Sequence, residues 1–142
     1  MGFYRFIEEI ALADCAIDVE GVDLGDLFET AAAALAELMV DPATVQPTVR
    51  RAIALDATDL DLLLYDWLSE LIFRKDRDGE VYTHATVDVS GDGPFRVAAQ
   101  VTGGMLDPAR VELRSDPKAV TFHQFGLERT DRGWHARIVI DI

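Results

Sequence analysis

The residues best suited to chemistry stand near the two ends of the sequence. The last segment, Trp134-His135-Ala136-Arg137-Ile138-Val139-Ile140-Asp141-Ile142, alternates apolar and polar residues up to its final position. Such alternation predicts a half-buried strand that ties the terminus into a sheet. A tethered end holding the Asp141 carboxylate beside the free carboxylate of Ile142 is a candidate site for a hard divalent cation, because calcium and magnesium favour oxygen ligands. An edge strand with a solvated end is the alternative. Asp14 opens another predicted strand, where a turn could aim its carboxylate. It could equally serve as a turn or capping aspartate. Lys118, between Pro117 and the apolar Ala119-Val120, is either a cation presented at a strand mouth or a gatekeeper at a strand end.

The other reactive residue types give weaker signals. His84, His123 and His135 fall on predicted strands without metal-ligand spacing. Ser69, Ser90 and Ser115 lack a nucleophile elbow. Gly103-Gly104 lacks the further glycines and the strand-to-helix setting of a phosphate loop. Cys15 is the sole cysteine, which excludes an internal disulfide and a cysteine-based zinc site. It reads as a small buried hydrophobe, with a reactive thiol beside Asp14 as the alternative.

Two predicted helices and several strands must position these groups. Strands are expected at Phe3–Ile7 and Cys15–Glu20, the latter after an irregular stretch from Glu8 to Ala13. Asp23 is an N-cap for a helix from Leu24 to Met39, in which Leu24, Leu27, Phe28, Ala31, Leu35 and Leu38 form an apolar stripe. Asp41-Pro42 ends it. Thr48–Leu55 reads as a strand. Thr58 or Asp59 caps a second helix with Leu60, Leu63, Leu64, Trp67, Leu68, Leu71 and Ile72 on one face. Lys75 and Arg77 suit the negative end of its dipole, and Asp78-Gly79 marks a turn. Strands at Glu80–Val89 and Phe95–Thr102 flank the Gly91-Asp92-Gly93-Pro94 hairpin. Gly103-Gly104 is expected to break that pairing, and Asp107-Pro108-Ala109-Arg110 to turn. Val120–Glu128 and Trp134–Asp141 complete the set, joined through Asp131-Arg132-Gly133. The fold class is α+β: one compact domain spanning 1–142, with an antiparallel or mixed sheet packed against two main helices.

The chain has 142 residues, 49% of them apolar, enough for one well-packed core. Thirteen Lys and Arg face 26 Asp and Glu, a formal charge of −13. This balance opposes non-specific attraction to phosphate backbones and favours a partner with a basic surface. No signal peptide is recognisable, and no segment approaches the ~18 continuous apolar residues that a bilayer requires. The expected compartment is a reducing cytoplasm, with no membrane contact.

Three blocks then carry a resemblance: Asp66-Trp67-Leu68-Ser69-Glu70-Leu71-Ile72-Phe73, Pro117-Lys118-Ala119-Val120-Thr121-Phe122-His123, and Ile138-Val139-Ile140-Asp141-Ile142. With Leu27-Phe28-Glu29 and Leu38-Met39-Val40-Asp41-Pro42, their order and spacing resemble the archeases, small proteins that assist RtcB-type RNA ligases. The resemblance covers nearly the whole chain. It implies a compact α+β fold and a divalent metal, calcium, held by Asp14, Asp141 and the carboxylate of Ile142. Lys118 takes the place of the family's functional lysine. The implied role is non-enzymatic: promoting guanylylation and multiple turnover of the ligase in tRNA splicing or RNA repair, as a monomer that meets RNA only locally or through the ligase. The sequence departs from the family pattern at Ala11, where a histidine is usual, at Gly104, where an acidic residue is usual, and at Val111, where a histidine is usual. These departures leave open an archease-fold interaction module without ligase activation. A metal-dependent phosphoesterase built on Asp14 and Asp141 is a third reading, although no general base is recognisable for it.

Overall fold

The computed structural model describes residues 2–7 and 14–142, with the His123 side chain excepted. Chain order is β1 (Phe3–Ile7), β2 (Asp14–Gly21), α1 (Leu24–Met39), a short 3-10 turn at Pro42–Thr44, β3 (Val49–Ala57), α2 (Leu60–Asp78), β4 (Glu80–Gly91), β5 (Phe95–Met105), β6 (Ala119–Thr130) and β7 (Gly133–Asp141). The expected irregular stretch from Glu8 to Ala13, including Ala11, lies outside the described residues.

Local chemistry sets the helix boundaries. Asp23 caps α1 by accepting from the Asp26 N–H at 2.8 Å, and Asp59 caps α2 by accepting from the Leu62 N–H at 2.8 Å. Asp59, rather than Thr58, is therefore the second cap. Gly79 ends α2 in the left-handed conformation at φ 68°, which costs glycine nothing, and its N–H closes on the Lys75 carbonyl.

The strands divide into two separate sheets, ordered β1-β2-β7-β6 and β3-β5-β4, and every pairing in both is antiparallel. Of the two arrangements left open by the sequence, the antiparallel one forms. Each helix touches both sheets: α1 meets β2 and β4, while α2 meets β6, β3 and β4. One buried cluster joins them, with Leu27, Phe28, Leu35, Leu63, Trp67, Leu68, Ile138 and Ile140 at its centre. Within it the Trp67 indole N–H donates to the Phe28 carbonyl at 3.0 Å, fixing α2 against α1 and satisfying a buried donor. Val87 N–H donates to the Glu29 carboxylate at 2.8 Å and ties β4 to α1.

One expectation needs correction. Gly103-Gly104 does not break the β4–β5 pairing; β5 continues to Met105, with Gly104 opposite Val81 and Gly103 opposite Val49 of β3. A Cβ at Gly103 would lie 1.8 Å from the Val81 carbonyl oxygen. Glycine here permits a close backbone approach inside the sheet, so it is a packing requirement rather than a breaker.

Candidate functional site

The site is built where the first sheet brings distant segments together. Asp14, the first residue of β2, pairs directly with Asp141, the last residue of β7. Ala119 of β6 pairs with Asp141 from the other side. Directly paired residues in an antiparallel sheet project from the same face, so both carboxylates stand together on one face. The opposite face carries Ile17, Val19, Ile138 and Ile140 into the core. That apolar anchoring is why the strand ends hold position. Both aspartates and Ile142 are half-buried.

Lys118 stands immediately before Ala119. Its backbone N–H donates to the Asp141 carbonyl at 2.7 Å, joining the lysine to the strand end that carries the carboxylates. The side chain is exposed and makes no ion pair among the described residues. The structure thus gathers Asp14, Asp141, Ile142 and Lys118 at one end of the sheet.

Lys75 organises the approach to Lys118. It is 8% exposed near the end of α2, and its ammonium reaches the Pro117 carbonyl at 2.6 Å, Asp76 at 2.7 Å and the Asp116 carboxylate. Burial opposes its charge most strongly, yet hydrogen bonds and charge attraction from Asp116 and Asp76 prevail and push its pKa above the usual lysine range. On the other side of Asp116, Ser115 donates to the Leu38 carbonyl through both its N–H, at 2.9 Å, and its hydroxyl, at 2.6 Å. Lys118 therefore projects from a segment fastened to both helices. From the sequence, Lys75 is expected only to complement the helix dipole. Its place four residues after Leu71 and seven after Leu68, on the apolar stripe, was the signal of burial.

The donor set fits a hard cation. Asp14 and Asp141 share a face, and both offer the oxygen ligands such a cation takes. Thr121 lies one row further in, opposite Val139 on the same face, and its buried Oγ1 has no hydrogen-bond partner among the described residues. Among those residues, no three His, Cys, Asp or Glu side chains converge on a possible metal position.

The remaining candidates resolve otherwise. His135 lies 3.2 Å from Asp18 and 3.4 Å from Glu128, while His84 stands beside Thr83 in the other sheet. The two make separate contacts in separate sheets. Cys15 is half-buried against the core, and burial pushes its thiol pKa up, favouring the protonated and unreactive form. Gly104 and Val111 are both buried packing positions.

Residues 4–142 match the archease protein family (MTH1598/TM1083). The chain belongs to the archease family. It is 34% identical over 140 residues to the protein archease of Archaeoglobus fulgidus, covering 98% of each chain. With the protein archease of Methanosarcina acetivorans it shares 33% identity over 141 residues, covering 98% of this chain and 95% of the other. Its fold is similar to the solution structure of Methanobacterium thermoautotrophicum protein 1598, with a TM-score of 0.80, 30% identity and 98% of each chain covered. The Thermotoga maritima protein described as an archease and possible chaperone shares the fold at a TM-score of 0.63 and 18% identity, over 97% of this chain and 98% of that one. Archease membership accounts for the joint placement of the helix, lysine and C-terminal blocks. No helix among the described residues of this archease is long and apolar enough to cross a membrane.

Proposed function

We propose that this protein is a non-enzymatic, metal-binding activator of an RtcB-type RNA ligase, promoting ligase guanylylation and multiple turnover in tRNA splicing or RNA repair. The observation that carries the reading is the union of the paired Asp14 and Asp141 with Lys118 through the Lys118 N–H to Asp141 carbonyl bond. Asp14, Asp141 and the Ile142 carboxylate would hold the ion, with calcium the expected metal. Bound there, it would neutralise carboxylates that otherwise repel one another across the strand pair. Lys118, its backbone tied to Asp141, presents a cation to the ligase or to a phosphate held by it. Lys75 and Asp116 keep the segment that carries it in place.

The ligase, in this reading, performs bond formation. The net charge of −13 supports RNA contacts that are local or made through the ligase. The working form is a cytoplasmic monomer. The description of the Thermotoga maritima protein as a possible chaperone is compatible with action through a protein partner.

The test is multiple-turnover ligation by the RtcB-type ligase of the same organism, with and without this protein. Stimulation by the parent, and its loss in Asp14→Asn and Lys118→Ala, is the expected result. No stimulation from folded protein and active ligase would overturn the proposal. A specific observation would then favour an interaction module without activation. The two described departures from the family pattern are packing positions: a Cβ at Gly104 would lie 2.5 Å from the Gln46 carbonyl oxygen, and Val111 is 9% exposed.

A further inference from the structure

Beside Lys118 lies a hollow of about 220 Å³ whose walls include Tyr65, Ile72, Phe73 and Val120, with Asp76 and Lys118 at its rim. It is distinct from the carboxylate pair. Two of the most exposed large apolar residues flank it. Phe73 is 51% exposed, and Phe122 is 58% exposed and stacked on Tyr65 with ring centroids 4.2 Å apart. Phe125 meets both rings edge-on and stiffens the pair. The Arg77 guanidinium lies 4.9 Å from the centre of the Phe73 ring, a cation–π contact at the surface. Exposed aromatics on a rigid backing are the usual anchors of protein interfaces.

Charge and size narrow the occupant. Lys75 pairs with both Asp76 and Asp116, so the acid at the rim shares a counter-charge, while Lys118 has no ion pair among the described residues. Lys118 is therefore the one charge at this rim that no described side chain pairs, on a chain that is otherwise strongly acidic. The volume falls below the ~300 Å³ at which small-molecule pockets usually begin. It suits one apolar side chain better than a nucleotide.

We propose that the hollow between α2 and β6 is a docking surface for a partner protein that inserts an apolar side chain between Phe73 and Tyr65 and sets an adjacent carboxylate against Lys118. Resting on the activator reading, this assigns the ligase as that partner and gives Lys118 a recognition role. The same surface would then set both the position of Lys118 and the affinity of the complex.

The test is titration calorimetry of the full chain with the RtcB-type ligase of the same organism, using the parent, Phe73→Ser, Phe122→Ser and Lys118→Glu. Each substituted side chain is at the surface, and unchanged melting temperatures would verify folding. The expected result is binding by the parent and a Kd at least tenfold weaker for each variant. Parent and variants binding with equal affinity would overturn the docking surface while leaving the activator reading intact. A parent that neither binds nor stimulates the ligase would overturn that reading, and the proposed occupant with it. Sedimentation showing a dimer that Phe73→Ser dissolves would overturn the proposal in favour of a self-contact. Saturable binding of GTP alone, lost in Phe73→Ser, would overturn it in favour of a nucleotide site.

Discussion

Asp14 and Asp141, 127 residues apart in sequence, sit directly opposite each other where β2 pairs with β7. Like charges in such a pair weaken a sheet unless something lies between them. In the proposed reading, this one relationship would join the stability of the strand ends to metal binding.

Calcium should therefore raise the melting temperature of the parent protein. At a hundredfold excess over Kd, the linked stabilisation is about 2.7 kcal/mol. Asp14→Asn and Asp141→Asn should lose the calcium response while melting, without metal, at or above the parent temperature, because each removes a repulsion. Adding one residue after Ile142 moves the terminal carboxylate and should weaken calcium binding by about tenfold or more, equivalent to ~1.4 kcal/mol. Calorimetry on these variants measures both effects. Undiminished affinity in the extended protein would remove Ile142 from the ligand set.

Replacing Lys75 by Met should reduce stability by about 1–2 kcal/mol at neutral pH, the scale of a hydrogen bond to a charged group. The figure sits at the low end because Asp116 and Asp76 are largely exposed and can be rehydrated. The folded-state pKa of Lys75 is raised, so its contribution is complete below the unfolded lysine pKa of about 10.4 and is lost as pH climbs through the higher folded value. The gap between parent and variant in chemical denaturation should thus close only at strongly alkaline pH. Amide exchange around Asp116 and Lys118 should quicken in the variant.

Asp18 provides the opposite pH signature. Burial raises its pKa most strongly, but hydrogen bonds from Arg137, Arg5 and His135 prevail, and its pKa lies below the usual aspartate range. Its contribution is present above the unfolded pKa of about 3.9 and disappears as pH falls through the lower folded value. Asp18→Asn should cost about 1 kcal/mol at pH 7, given the exposure of both arginines, and progressively less in acid. Denaturation midpoints measured down to acid pH test the convergence.

Gly103→Ala should destabilise the protein by about 3 kcal/mol or more, the upper range for overpacking, because its Cβ has no room beside the Val81 carbonyl. Thermal unfolding reads this directly. A variant as stable as the parent would show that β4 and β5 separate without cost.

Much of this architecture was legible in the residues. The Leu24–Met39 helix follows from Asp23 and a 3.6-residue apolar period, and the terminal strand from strict alternation, because both signals are local in the chain. Asp141, Ile142 and Lys118 could be singled out for their chemistry, and the order of the blocks pointed to the family. By itself, the sequence determined the helices, most strand positions, the charge balance and the inventory of oxygen donors.

Only the tertiary structure decided how these parts meet. Division into two sheets depends on strand pairings between distant segments, which no local period records. Gly103 looked like a breaker because its reason for being glycine is the Val81 carbonyl of another strand. Lys75 looked like a helix-end charge because Asp116 and Pro117 reach it from about forty residues away. The hollow beside Lys118 likewise needs Tyr65 and Phe73 of α2 to face Val120 and Phe122 of β6. Periodicity tells which face of an element is buried; which other element covers that face is set by packing across the whole chain.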